Sequence, residues 1–172
     1  TTNPIEYSLA AALLSELLMQ KIIEPEASRK KYKIINLVNP KHTGDPVLDE
    51  AIKRISEAKR RGSLKTWVQR LARIKKLKHR IAKELCRKGI LREDEDKVLL
   101  IFTRKIYPEI NPKPEQELVE RLRKVIFSDV TEVDPRVAII IALASHSRLL
   151  RRKFDKKELK TKKKRIKMIT EG

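Results

Sequence analysis

Residues 63–89 read SLKTWVQRLARIKKLKHRIAKELCRKG, a run from Ser63 to Gly89 in which Leu64, Trp67, Val68, Leu71, Ile74, Leu77, Ile81 and Leu85 recur at intervals of three and four. That spacing lays a single apolar stripe along a helix of about 3.6 residues per turn. Ser63 offers a side-chain oxygen to the free N–H groups of a first turn, and Gly89 lacks the Cβ that would oppose a left-handed closing turn. The spacing predicts a long helix with room for a bend inside it, and it sets the chain as mainly α.

Working outward, Leu9, Leu13, Leu17 and Leu18 predict a first amphipathic helix that fades near Lys21. Asp45-Pro46 is a side-chain cap followed by a proline suited to a first turn, and Val47, Leu48, Ala51, Ile52 and Ile55 supply the apolar face behind it. Pro112 and Pro114 open a helix through Leu118, Leu122, Val125 and Ile126, and Asp134-Pro135 repeats the cap-plus-proline start for one that runs to Leu149. Asp155 begins a last helix carrying Leu159, Ile166 and Ile169. Two apolar pairs followed by polar turns, Ile22-Ile23 and Ile90-Leu91, predict small hairpins, the second with Glu93 to Asp96 at its tip and Val98 to Phe102 as its return. Glu16-Leu17 before Ile22-Ile23 matches Glu84-Leu85 before Ile90-Leu91 at equal spacing, which implies two helix-plus-hairpin units. The expected fold is a mainly α, single-domain helical bundle with two small β-hairpins, at a length of 172 residues that suits one core.

Lys and Arg total 42 against 23 Asp and Glu, a formal charge of +19, and self-repulsion of that size opposes compaction unless an anionic partner uses it. Nucleic acid, anionic lipid and acidic protein all qualify, and abundant Lys and Glu also suit heat adaptation. The one cysteine, Cys86, excludes an intramolecular disulfide and fits a cytosolic location. No apolar run reaches the roughly 18 residues of a spanning helix. His42, His79 and His146 are scattered, no Cys/His or carboxylate grouping has metal-ligand spacing, and none of the four glycines belongs to a phosphate-cradling run. Ser145-His146-Ser147 lacks an orienting third group, so the expectation is a non-enzymatic protein without cofactor or metal.

The charge of residues 73–88 falls into two groups when projected on a helix. Lys76, Arg80, Lys83 and Arg87 lie opposite the stripe as a supporting basic surface in solvent, each worth about 1 kcal/mol near an anionic leaflet. Lys75 and Lys78 lie beside the stripe with Ala82 between them, so both ammonium groups are placed to converge on one headgroup.

Five collinear blocks then resemble the Golgi phosphoprotein 3 family: residues 9–18; 43–51 (TGDPVLDEA); 77–83 with 88–91; 98–102 before Tyr107-Pro108; and Asp134-Pro135-Arg136 before residues 142–145. The resemblance covers nearly the whole chain and implies a non-enzymatic peripheral membrane protein. It would bind phosphatidylinositol 4-phosphate on the cytosolic face of the Golgi and, in eukaryotic relatives, link glycosyltransferase tails to the COPI coat. It also implies that two headgroup arginines fall on Lys75 and Lys78, where charge is kept and the bidentate fork is lost. A further arginine falls on Ala10 and a tryptophan near Thr1, so neither is present, and the domain, 1–172, is expected to be incomplete at its N-terminus. The family's oligomerising hairpin falls on Ile90 to Tyr107, with Val98, Leu99, Leu100, Ile101 and Phe102 as the apolar segment for a homo-oligomer. Two other readings stand beside it: a winged-helix-like nucleic-acid binder, and an adaptor whose basic faces receive acidic or phosphorylated tails of membrane proteins.

Overall fold

The computed structural model describes residues 3–27, 33–98 and 102–171. Helix α1 spans Pro4–Met19, opened by an Asn3 capping box in which Glu6 returns a carboxylate to the Asn3 N–H. Between Ser8 and Gln20 no residue is fully exposed, so α1 is not a one-faced amphipathic helix as its leucine spacing predicts. It is apolar around most of its girth because α3 (Leu64–Leu71), α4 (Leu77–Arg87) and α6 (Pro135–His146) all pack on it.

Two cores result. The first gathers Leu13, Leu14 and Leu17 of α1 with Ile22, Ile23, Ile35, Trp67, Leu71, Ile74 and Leu77, under α2 (Pro46–Ser56). The second joins Leu122 and Ile126 of α5 (Lys113–Ile126) to Val137, Ile141, Leu150 and Phe154, with α7 (Leu150–Lys153), α8 (Lys156–Thr161) and α9 (Lys163–Glu171) around them. Glu16 of α1 accepts a two-pronged hydrogen bond from Arg136 of α6, one prong at 3.1 Å, across the seam between the cores. The side-chain caps fall where the sequence places them: Asp45 accepts from Val47 and Leu48 N–H, Ser63 from Thr66, Asp134 from Arg136 and Val137, and Asp155 from Lys157 and Glu158.

The helix-plus-hairpin repeat is present in the backbone. After α1, Lys21 takes a left-handed φ of 53°, Ile22 N–H donates to the Leu17 carbonyl, and the Ile22 carbonyl accepts from Val38 and Asn39. After α4, Gly89 takes φ 71°, Ile90 N–H donates to Leu85, and the Ile90 carbonyl accepts from Ile110 and Asn111. Each unit closes on an Asn-Pro, at Asn39-Pro40 and Asn111-Pro112. The hairpins between are antiparallel, β1 (Ile23–Pro25) with β2 (Ile35–Leu37) and β3 (Asp94–Val98) with β4 (Phe102–Ile106).

Four further expectations are corrected. The run 63–89 is two helices, joined through residues 72–76, because one straight helix over 64–87 would extend roughly 36 Å, half as long again as α1 at about 24 Å. Breaking it lets α3 and α4 both pack on α1 while Leu71, Ile74 and Leu77 all stay buried. The acidic residues Asp94, Glu95 and Asp96 are not a hairpin tip. They form β3, where Glu95 faces Lys105 and Asp96 faces Arg104, and opposite charges across the ladder favour that register. The helix expected to run to Leu149 ends at His146, beyond which Arg148 adopts φ 62°, and the helix from Asp155 is divided at Lys162.

Candidate functional site

The α3–α4 connection is wound tightly: Arg73 N–H donates to Arg70, Ile74 to Leu71 and Leu77 to Ile74, each across three residues. Burial of Ile74 and Leu77 anchors it from inside and turns Lys75 and Lys76 outward. Lys76 takes φ 57°, ψ 34°, a left-handed conformation costly for a side chain with a Cβ, and α4 begins with no side-chain cap. The Leu77 N–H is taken by the Ile74 carbonyl, and the first-turn N–H groups after it, at the positive end of the helix dipole, have no side-chain cap. Lys78 is exposed in that first turn. Lys75, Lys76 and Lys78 take no part in any ion pair among the described residues, the nearest on α4 being those of Arg80, Lys83 and Arg87.

The projection that set Ala82 between Lys75 and Lys78 does not hold, because Lys75 is not part of α4 and Ala82 is buried. Lys75 instead lies in the turn that joins α3 to α4, and Lys78 in the first turn of α4. The supporting cations are more compensated than the sequence suggests. Arg80 is half-buried rather than in full solvent and lies 4.0 Å from Glu50, Lys83 lies 4.0 Å from Glu93, and Arg87 pairs with Glu84 at 2.9 Å. Arg54, donating to Glu50 at 2.7 Å, is the main reason that the Glu50 carboxyl is held below its ordinary range, against a smaller opposing effect of burial. The cations farther along α4 thus have carboxylate neighbours, whereas the three lysines at its start have no ion-pair partner among the described residues.

Ala10, where the resemblance would put an arginine, is completely buried and supplies packing alone. Val98 and Phe102 are the last register pair of β3 and β4, and Leu99, Leu100 and Ile101 lie outside the described residues, as does Thr1. The histidines serve local structure: His42 contacts Asp49 at 3.0 Å, His79 shares a hydrogen bond with the Tyr107 hydroxyl at 3.1 Å, and His146 bonds the Ala142 carbonyl at 2.8 Å. Among the described residues no cluster of three or more His, Cys, Asp or Glu is placed to hold a metal ion, and no helix is long and apolar enough to cross a membrane. The block TGDPVLDEA is a cap: Asp49 accepts from the Thr43 N–H at 2.8 Å and its hydroxyl at 2.7 Å, which lowers the Asp49 pKa, and Asp45 caps α2.

One grouping escaped the sequence reading. Trp67 lies on the core face as its spacing predicts, and Arg54, Arg60, Arg70 and Arg73, which belong to no periodic pattern, join it around one cavity. The available signal was Arg70 and Arg73 three residues apart, with Trp67 three residues before the first.

Comparison with known proteins agrees with the fold and the block pattern. The family model described as Golgi phosphoprotein 3 (GPP34) matches residues 1–172. The vacuolar protein sorting-associated protein 74 of Schizosaccharomyces pombe is 29% identical over 149 residues, covering 77% of this chain and 44% of that protein. The chain therefore spans less than half the length of that relative.

Proposed function

The chain belongs to the Golgi phosphoprotein 3 family, and from that premise we propose that it is a non-enzymatic peripheral membrane protein that docks on anionic lipid through the lysine turn. The observation that carries the reading is the grouping of the exposed Lys75, Lys76 and Lys78 at a helix start without a side-chain cap, with no ion-pair partner among the described residues. Three exposed ammonium groups beside a positive dipole end attract phosphorylated headgroups, with phosphatidylinositol 4-phosphate as the preferred lipid. Lysines give charge without the bidentate fork, so selectivity among anionic lipids is expected to be shallower than affinity for them. By kinship with a protein named for vacuolar sorting, its biological role is that of a trafficking adaptor at Golgi membranes, holding the cytosolic tails of membrane proteins.

Flotation tests this. Neutral liposomes, liposomes with phosphatidylserine, and liposomes with phosphatidylinositol 4-phosphate at matched charge are compared at moderate salt, with duplex DNA as competitor. The paired change Lys75→Ala and Lys78→Ala is expected to weaken binding by about 2 kcal/mol, roughly thirtyfold in partition. Lys162→Ala with Lys163→Ala is expected to do much less. Absence of flotation with every anionic liposome sinks the reading, and equal losses from the two pairs reduce it to net charge.

A further inference from the structure

The densest cationic site of the first core is a cavity of ≈ 390 Å³ walled by Arg54, Lys59, Arg60, Trp67, Arg70 and Arg73, with no carboxylate in its lining. Three parts of the chain converge there: the end of α2, the loop after it, and α3 with the turn that follows. Arg54 is paired with Glu50, but Lys59, Arg60, Arg70 and Arg73 enter no ion pair among the described residues. Like charges gathered on one wall repel, and an anion in their midst removes that repulsion.

The site is also built in advance of a ligand. The Arg70 guanidinium lies 4.7 Å from the Trp67 ring centroid and donates from Nη1 to the Arg60 carbonyl at 2.7 Å, which fixes the fork on the aromatic face. Gly62 keeps the loop pressed close, since a Cβ there would stand 2.8 Å from the Thr66 methyl and 3.5 Å from Arg70 Nη1. Trp67 is 2% exposed, and its buried Nε1–H has no acceptor. An unsatisfied buried donor is uncommon in a folded protein and marks this wall as unusual.

We propose that this cavity binds a phosphate monoester, whether carried by a soluble phosphorylated polyol or by a phospholipid headgroup. Arginine forks take two oxygens of one phosphate at a time, which lysines cannot do. The volume lies near the lower end of the range for small-ligand sites, about 300–1,000 Å³, and suits one phosphorylated group rather than a peptide or a duplex. Neither Lys75 nor Lys78 lines it, although Arg73 comes from the same turn, so its ligand contacts are distinct from the lysines and do not depend on the membrane reading.

Trp67 is the one tryptophan in the chain, so its emission reports on this wall directly. The full chain is titrated with inorganic phosphate and glycerol 3-phosphate at constant ionic strength. It is then titrated with vesicles of phosphatidic acid, a monoester, against phosphatidylglycerol, a diester, at matched charge. A saturable change in emission with the soluble esters identifies a soluble ligand, and one seen only with phosphatidic acid vesicles identifies a headgroup. Arg60→Ala with Arg73→Ala, both exposed positions, is expected to raise the apparent Kd at least about tenfold, as loss of charge-assisted hydrogen bonds requires. Arg60→Lys with Arg73→Lys is expected to lose several-fold with charge kept, and Lys75→Ala with Lys78→Ala to change the Kd for the soluble esters, and the preference for phosphatidic acid over phosphatidylglycerol, less than about twofold, since neither lines the site. No saturable response from any monoester, or equal losses from the arginine and lysine pairs in those two readouts, overturns the proposal.

Discussion

The two helix-plus-hairpin units share a backbone turn and part company in their side chains. In the first, Ile22 and Ile23 are fully buried and Ile35 nearly so, and the hairpin is a wall of the first core. In the second, Ile90 and Leu91 are half-buried, and the strands present Asp94, Glu95 and Lys97 to solvent. The same pair of N–H groups reaches the same carbonyl in both, so hydrogen bonding sets the shape of a unit while apolar area decides where it sits. Their equivalent glutamates diverge likewise: Glu16 reaches across the seam to Arg136, and Glu84 pairs with Arg87 on its own helix.

The comparison breaks most visibly at the apolar pair. Ile22→Ala is expected to cost about 2–4 kcal/mol and Ile90→Ala roughly half of that or less, read from urea unfolding midpoints at unchanged slope. Equal costs would show that the second hairpin packs as firmly as the first. Next in size are the left-handed turns. Gly89→Ala is expected to destabilise by about 1 kcal/mol although nothing lies within 4 Å of the new Cβ, because the φ of 71° alone opposes it. Lys21→Gly is expected to gain up to about 1 kcal/mol by relieving the same strain. The smallest effect belongs to the glutamates. Glu16→Gln should cost roughly 0.5–1 kcal/mol at neutral pH, and Glu84→Gln no more than about 0.5.

The Glu16 effect carries a pH signature. The hydrogen bond from Arg136 is the largest cause of a carboxyl held below its ordinary value, with desolvation opposing it and Gln20 assisting. A group depressed in the folded state contributes fully above the ordinary carboxylate pKa and loses that contribution as pH falls through the folded one. Thermal unfolding of the parent and Glu16→Gln proteins should therefore differ at pH 7 and converge in acid. A difference that persists in acid would assign the effect to packing instead.

The caps were legible because each is a local event: Asp45, Ser63, Asp134 and Asp155 bond N–H groups two or three residues on, and their identities suffice. The break at 72–76 was not legible because Leu71, Ile74 and Leu77 keep helical spacing straight through it, with no proline or glycine to mark it. Register in the second hairpin was hidden for a related reason. An acidic run resembles a turn until the basic partners Arg104 and Lys105 are known to lie opposite. Lys75 and Lys78 follow from the helix projection and the family resemblance, but the turn that sets Lys75 outside α4 depends on tertiary packing. The arginine cavity was harder still, since its walls come from three separate segments.

Helix α1 imposes an order on assembly. It is made early, yet one of the helices packed on it, α6, carries Arg136, which stands 120 residues from Glu16. While those residues are being synthesised, α3 and α4 can already pack on α1. Until α6 is made, the surface of α1 that it covers stays open, and the second core closes only once the later helices are in place.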